Sequence, residues 1–417
     1  MIAEADVKTR APDQAPNSKA GVGSAVQAVR IESVDLLRGL IMILMALDHT
    51  RDFFHNSSFN PRDVTDPALF LTRWITHICA PTFIFLAGLS AYLYGTHGRT
   101  RSQVSWFVFT RGLWLIFLSL TLVHFAWSFV VGGSVFVLQV IWAIGASMVV
   151  LAGLVYLPLW AIAAFGLAMI FGHNLLDGIQ AHEFGSGAWI WHILHQRGSI
   201  YPVPDVRLIV AYPLIPWIGV MAAGYALGPL YRLDQTIRRR WLVGLGAAVT
   251  LGFFLLRATN LYGDPDPWSE QANQLYTFLS FLNCEKYPPS LLYLMMTLGP
   301  ALLLLAAFER APGRAEIFEG LRHRVSQWII VFGRVPFFYY VLHLIWIQLL
   351  ALLFALVTVG DLAWLTGGYD LENSVRPHLS LAGTYVAWAI VVITLYPVCK
   401  WFAHLKQTRN EWWWPYL

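Results

Sequence analysis

Charge is the scarcest commodity in this sequence. Asp, Glu, Lys and Arg make up 12% of 417 residues, while apolar residues make up 57%. Soluble domains carry roughly twice that charge, so too little polar surface exists to coat a globule in water. A water-soluble enzyme or scaffold is thereby excluded, and lipid must be the main solvent. Paired cysteines are absent too: Cys79, Cys284 and Cys399 lie far apart with no CxxC spacing. That argues against a disulfide framework or a structural zinc. No Walker loop, strand-linked GxGxxG or GxSxG elbow occurs, and no internal repeat or clear inverted pair of broken helices is visible. The small positive balance of +4 forms no basic stripe, which excludes a nucleic-acid partner.

What is present is a succession of apolar runs long enough to cross about 30 Å of hydrocarbon. They fall at about 34–54, 70–95, 105–129, 135–156, 158–173, 208–231, 240–259, 289–308, 328–358 and 381–403. The pattern predicts an all-α, polytopic membrane bundle of about ten spans, or eleven if the long ninth run divides at Pro336. Residues 1–30, rich in Ala, Pro, Gly and Ser, are expected to form a disordered cytoplasmic tail rather than a signal peptide or domain. Residues 31–405 would be the membrane domain and 406–417 a cytoplasmic C-terminal tail. Nineteen Trp and seventeen Tyr suit membrane interfaces. With both termini inside, inner segments carry thirteen Lys and Arg and outer segments six, even without the tail. The opposite orientation would reverse the usual bias.

Ionisable groups concentrate at the outer end of the first span, in Asp48-His49-Thr50-Arg51-Asp52-Phe53-Phe54-His55. At about 100° per residue, Asp35, Arg38, Met42, Met45 and His49 share one stripe. Asp48 and His55 share another, with Asp52 between the two. Asp48 to Asp52 and Asp52 to His55 are contact spacings on a helix. A helix continued to Asn56 would thus let a carboxylate orient an imidazole that titrates near neutrality. The alternative is that Asp48 and His49 cap the helix and Asp35 pairs with Arg38. Charged groups inside spans are costly and usually mark a pathway or site, which favours function for Asp48, His49 and His55.

Arg111 and Gln139 are candidates to line a donor channel, and Arg38 is a further candidate at the inner end of the first span. His343 reads as a hydrogen-bonded packing residue. His192 and His195, spaced i,i+3 in an outer loop, lack a dense third ligand, so no metal is expected.

Three stretches carry a family resemblance: Ser33-Val34-Asp35-Leu36-Leu37-Arg38-Gly39, the loop Phe53–Asn60, and Pro81-Thr82-Phe83-Ile84-Phe85-Leu86-Ala87-Gly88-Leu89-Ser90. They resemble the opening of the heparan-α-glucosaminide N-acetyltransferase-like family. Tyr212–Gly219, Lys286–Leu292 and Phe332–Tyr340 resemble its bacterial relatives. The resemblance implies transfer of an acetyl group from cytosolic acetyl-CoA to an amino sugar across the membrane. It also implies a catalytic histidine at the non-cytosolic end of the first helix. His55 matches that position, and His49 stands where the lysosomal members have Asn.

The lysosomal members carry a large domain before the first span, and none is expected here. Heparan is therefore a poor candidate acceptor, and an envelope sugar or glycolipid is expected instead. The implied setting is the bacterial inner membrane, with lipids as partners and homodimerisation left open. On this reading His55 acts as base or acyl carrier, Asp48 or Asp52 orients it, and His49 assists. The CoA phosphates would meet Arg99 and Arg101, or Arg310 and Arg314. A proton-coupled transporter or exporter of a polar solute is the rival reading of the same residues.

Overall fold

The computed structural model describes residues 31–55, 63–309, 319–360, 378–409, 411 and 414. The N-terminal tail expected over 1–30 and the basic pair Arg310 and Arg314 lie outside the described residues. Among the described residues are fifteen α-helices, a few short 3-10 and π segments and one three-stranded sheet, and the protein is an all-α polytopic membrane protein. Eight helical segments among the described residues are long and apolar enough to cross a membrane.

The first helix, α1 (Glu32–Phe54), has the necessary 23 residues but too many charges to count among those eight. It is nevertheless largely buried, with Leu37, Ile41 and Ala46 fully enclosed. Asp35, Arg38, Asp48, Arg51 and Asp52 are tolerated because they pair with one another, no side chain more than 20% exposed. Glu32 and Asp35 in its first turn complement the helix dipole.

The second span is a broken one. Asp66 caps α2 (Pro67–Thr76) by accepting from the Ala68 and Leu69 amides, with Pro67 suited to the first turn. The chain bends at His77 and Ile78 before α3 (Cys79–Gly95). A Thr100–Gln103 capping box opens α4 (Arg101–Leu118). A π-turn at Ser119–Val123 joins it to α5 (His124–Ser128), which stops at left-handed Phe129.

Two predicted spans begin differently from the expectation. Residues 135–138 and 206–210 are not helical but form strands β1 (Val135–Leu138) and β3 (Val206–Val210). These pair in parallel, and β2 (Gly198–Val203) pairs antiparallel to β3. Their β-branched and aromatic composition suits a ladder. An apolar run of this length cannot distinguish strand from helix by itself. The fourth helix run is therefore shortened to α6 (Val140–Leu154).

After α7 (Leu159–Gly172), α8 (Ala188–Leu194) lies in the loop region before β2. The chain continues through α9 (Leu214–Ala226), α10 (Gln235–Thr259), α11 (Gln274–Leu282) and α12 (Leu291–Phe308). The long ninth run divides at Val335, as Pro336 suggested, into α13 (Glu319–Arg334) and α14 (Pro336–Thr358). The last described helix is α15 (Leu381–Thr408), which runs on through residues 406–408.

Small residues bring the helices close, as expected where lipid supplies no hydrophobic drive. A Cβ on Gly333 would stand 1.9 Å from the Asp35 carbonyl oxygen, and one on Gly39 would stand 2.1 Å from that of Ile329. These two glycines let α13 lie against α1. Gly88 and Gly224 do the same for α3 and α9.

Candidate active site

His49 is the best-connected imidazole of the predicted set. Its Nδ1 lies 2.7 Å from Nε2 of His343 on α14, and His343 Nδ1 lies 2.8 Å from the Tyr339 carbonyl oxygen. A carbonyl only accepts, so His343 must carry its proton on Nδ1 and accept at Nε2. His49 must then donate from Nδ1, which leaves its Nε2 with a lone pair. The arrangement assigns each tautomer without any carboxylate. The two rings lie nearly in one plane, 10° apart with centroids 5.0 Å from each other, and Trp127 meets His49 edge-on at 4.8 Å. Tyr340 closes another side at 5.9 Å.

Beside this pair stands an ion cluster. Arg51 binds Asp48 through NH1 at 2.7 Å and Asp52 through NH2 at 2.8 Å. Thr76, from the end of α2, donates to the same Asp48 oxygen at 2.8 Å. The buried carboxylates therefore hold a guanidinium, not an imidazole. A permanent charge three residues from one Asp and adjacent to the other outcompetes a neutral ring for them.

The expected contact between Asp52 and His55 is not formed among the described residues. α1 ends at Phe54, and His55 is extended, with φ −108° and ψ 138°. The helical i,i+3 spacing no longer applies there. The half-exposed His55 ring has a buried Nδ1 without a described partner. Burial pushes its pKa below the ordinary value. Asp66 opposes that shift, and Arg51, Arg73 and His378 reinforce it.

The proposed donor ligands are scattered. Arg38 clasps three helices, donating to Asp35 at 2.8 Å, to the Gly333 carbonyl at 3.2 Å and to Ser90 at 3.1 Å. It lies eleven residues from His49, about 16 Å along the helix. Gln139 is not inside a span but precedes α6 as its N-cap residue. Arg111 sits half-buried on α4, its guanidinium 5.9 Å from the Phe107 ring centre. Arg99 and Arg101 are exposed at the α3–α4 turn and donate to the Tyr94 and Tyr156 carbonyls, respectively. In the loop region, His195 pairs with Asp177 at 3.0 Å and His192 Nδ1 lies 3.2 Å from the Gln196 carbonyl. The two histidines therefore serve separate partners.

Sequence reasoning read His343 as a hydrogen-bonded packing residue, which its two bonds match, but did not pair it with His49, and it passed over Thr76. The only available signal was that each is polar within or beside an apolar run. The pairings join α1 to α14 and to α2, which no periodicity reveals.

Fold and site together define a polytopic membrane protein with a buried imidazole pair and ion cluster at the Phe54 end of its first helix. A family model described as heparan-alpha-glucosaminide N-acetyltransferase, catalytic, matches residues 30–256. That is more than half of the chain, and the protein belongs to this family. It is accordingly a transmembrane acetyltransferase, an acyltransferase by reaction class. No curated protein matches the chain. The matched region contains Asp48, His49, Arg51, Asp52 and His55, and ends before Lys286 and His343.

Proposed function

We propose that the protein moves an acetyl or other acyl group from cytosolic acyl-CoA to a sugar or glycolipid on the far side of a bacterial inner membrane. His49 serves as the general base. The observation that carries this reading is the His49–His343–Tyr339 relay, which leaves Nε2 of His49 as an unprotonated acceptor in a largely buried setting. His343 is then a positioning residue, and Arg51 with its two carboxylates supplies a fixed polar wall. This revises the division of labour suggested by resemblance alone, in which His55 led and His49 assisted.

The excess of Lys and Arg on alternate connections supports both termini inside, which puts the Phe54 end of α1 outside. The donor would then enter from the Arg38 end, its phosphates meeting the exposed Arg99 and Arg101. The acceptor would arrive from the opposite side. Its amine or hydroxyl proton passes to His49 as the nucleophile attacks the thioester carbon. The departing CoA thiolate takes that proton back.

The test uses purified protein in nanodiscs with radiolabelled acetyl-CoA and extracted envelope glycans and glycolipids. Label transfer by wild type, lost in His49→Ala and retained in His55→Ala, is the expected result. Transfer undiminished in His49→Ala would remove His49 as the base, and no wild-type transfer to any acceptor would refute the donor assignment.

A further inference from the structure

The connection between α11 and α12 turns inward rather than lying on the surface. Cys284 and Lys286 are buried, and the loop around them is closely tied. Glu285 accepts from the Lys286 and Tyr287 amides at 3.0 and 2.9 Å. Asp264 accepts from the Glu285 amide at 2.9 Å and from the Ser290 hydroxyl at 2.6 Å. His173 Nε2 lies 2.8 Å from the Pro289 carbonyl, and Asn174 accepts from the Leu291 amide. A loop built this way holds its lysine in one place.

The Lys286 ammonium lies 5.2 Å from the Tyr287 ring centre. Burial alone would drive off its proton, but Tyr287, Tyr293 and Asp48 outweigh burial and hold the pKa above its ordinary value. The group is a buried cation within electrostatic reach of Asp48, His49 and His77.

His77 is the second, independent observation. It sits at the bend between α2 and α3, only 4% exposed, and both its ring nitrogens lack a hydrogen-bond partner among the described residues. Its ring stands 5.3 Å from that of Tyr293, whose hydroxyl donates to the His77 carbonyl. Buried polar groups in folded proteins are ordinarily satisfied, so an imidazole left bare at both nitrogens marks a place for a ligand's polar atom. Thr76, its neighbour, bonds Asp48, which ties this position to the His49 side of the site.

We infer that Lys286 and His77 form the oxyanion-binding half of the acyltransferase site, the half that grips the thioester carbonyl oxygen of the donor. The inference rests on the acyl-CoA reading above and goes beyond the family match, which ends before Lys286. As the acceptor's amine or hydroxyl attacks, its proton goes to His49 and the carbonyl electron pair moves onto oxygen. The Lys286 ammonium and a His77 N–H hold that negative charge. Collapse restores the carbonyl, breaks the carbon–sulfur bond and expels CoA as a thiolate, which His49 protonates. Lys286 and His77 exchange no proton. Preorganised donors in a water-poor site act most strongly on charge that develops only in the transition state.

The experiment measures acetyl transfer by the full chain in nanodiscs, using the acceptor that wild type modifies. Lys286→Met is expected to lower kcat by about 100- to 1000-fold, with KM for acetyl-CoA, affinity for free CoA and thermal midpoint unchanged. Added ethylamine should restore part of the activity of Lys286→Ala, a rescue that a merely structural lysine would not give. His77→Gln, which keeps an N–H, should outperform His77→Phe. Wild-type kcat in Lys286→Met overturns the inference, as does a loss that tracks thermal stability and resists amine rescue. Wild-type transfer in the same assay tests the donor reading separately, so the two failures are distinguishable.

Discussion

Replacing His343 with Phe probes the relay at its hinge. The ring volume is roughly kept, so the stack against Tyr339, with centroids 5.1 Å apart, can persist. What disappears is the acceptor 2.7 Å from His49 Nδ1. The His49 N–H then faces nothing, and an unmet buried donor costs about 1–3 kcal/mol. The ring escapes that cost by moving its proton to Nε2 or by turning over, and either change removes the lone pair that would accept the substrate proton. If the whole cost weighs against the productive tautomer, kcat falls by roughly 5- to 150-fold. His343→Gln supplies a side-chain carbonyl that can accept from Nδ1, so it should recover much of the loss. Radiolabel transfer under saturating acetyl-CoA, with thermal unfolding as a folding control, measures both variants. Wild-type kcat in the Phe variant would refute the tautomer argument, and so would a folded Gln variant as impaired as Phe.

Gly333→Ala should destabilise the protein by at least about 1–3 kcal/mol, because its Cβ would meet a backbone carbonyl that cannot swing away. Gly153→Ala, with nothing within 4 Å of the added carbon, should be silent in the same detergent unfolding assay. At the Glu32 end of the bundle, Arg238 grips buried Glu309 through both carboxylate oxygens, at 2.9 and 2.6 Å. Arg238→Met strands that charge and should cost about 3–5 kcal/mol, and the double change with Glu309→Leu should cost less. A double-mutant cycle gives the answer, and single losses that simply add in the double variant would mean the pair carries no mutual dependence. His55 makes a pH prediction. Its folded pKa is depressed, so the unfolded chain takes up a proton first as pH falls below about 6.5. The stability present at higher pH is lost through that window. His55→Asn should flatten this limb of the midpoint-against-pH curve, and an unchanged slope would show that other groups produce it.

Much of the architecture follows from composition. Scarce charge and runs of about twenty apolar residues leave a chain no stable state but a helical bundle in lipid, because lipid-exposed backbone must satisfy itself. The break at Pro336 was equally legible, since proline lacks the amide a continuing helix needs. The charged edge at residues 48–55 stood out because its cost in a span demands a reason. Helical periodicity relates residues only within one element, however, and it failed where the element stopped. α1 ends one residue before His55, so the spacing from Asp52 no longer described a contact. Residues 135–138, read as helix, became a strand because their partner in the ladder lies some seventy residues further on.

What the amino-acid order determined was the solvent, the helices and the end of the first helix where polar groups gather. Which of those groups meet was decided by tertiary structure alone. His49 finds His343 across 294 positions, Asp48 turns to Arg51 and Thr76, and a loop from beyond α11 carries Lys286 into the bundle. Each pairing is a competition among buried polar groups for too few partners. Its outcome depends on distances between helices that no single helix encodes.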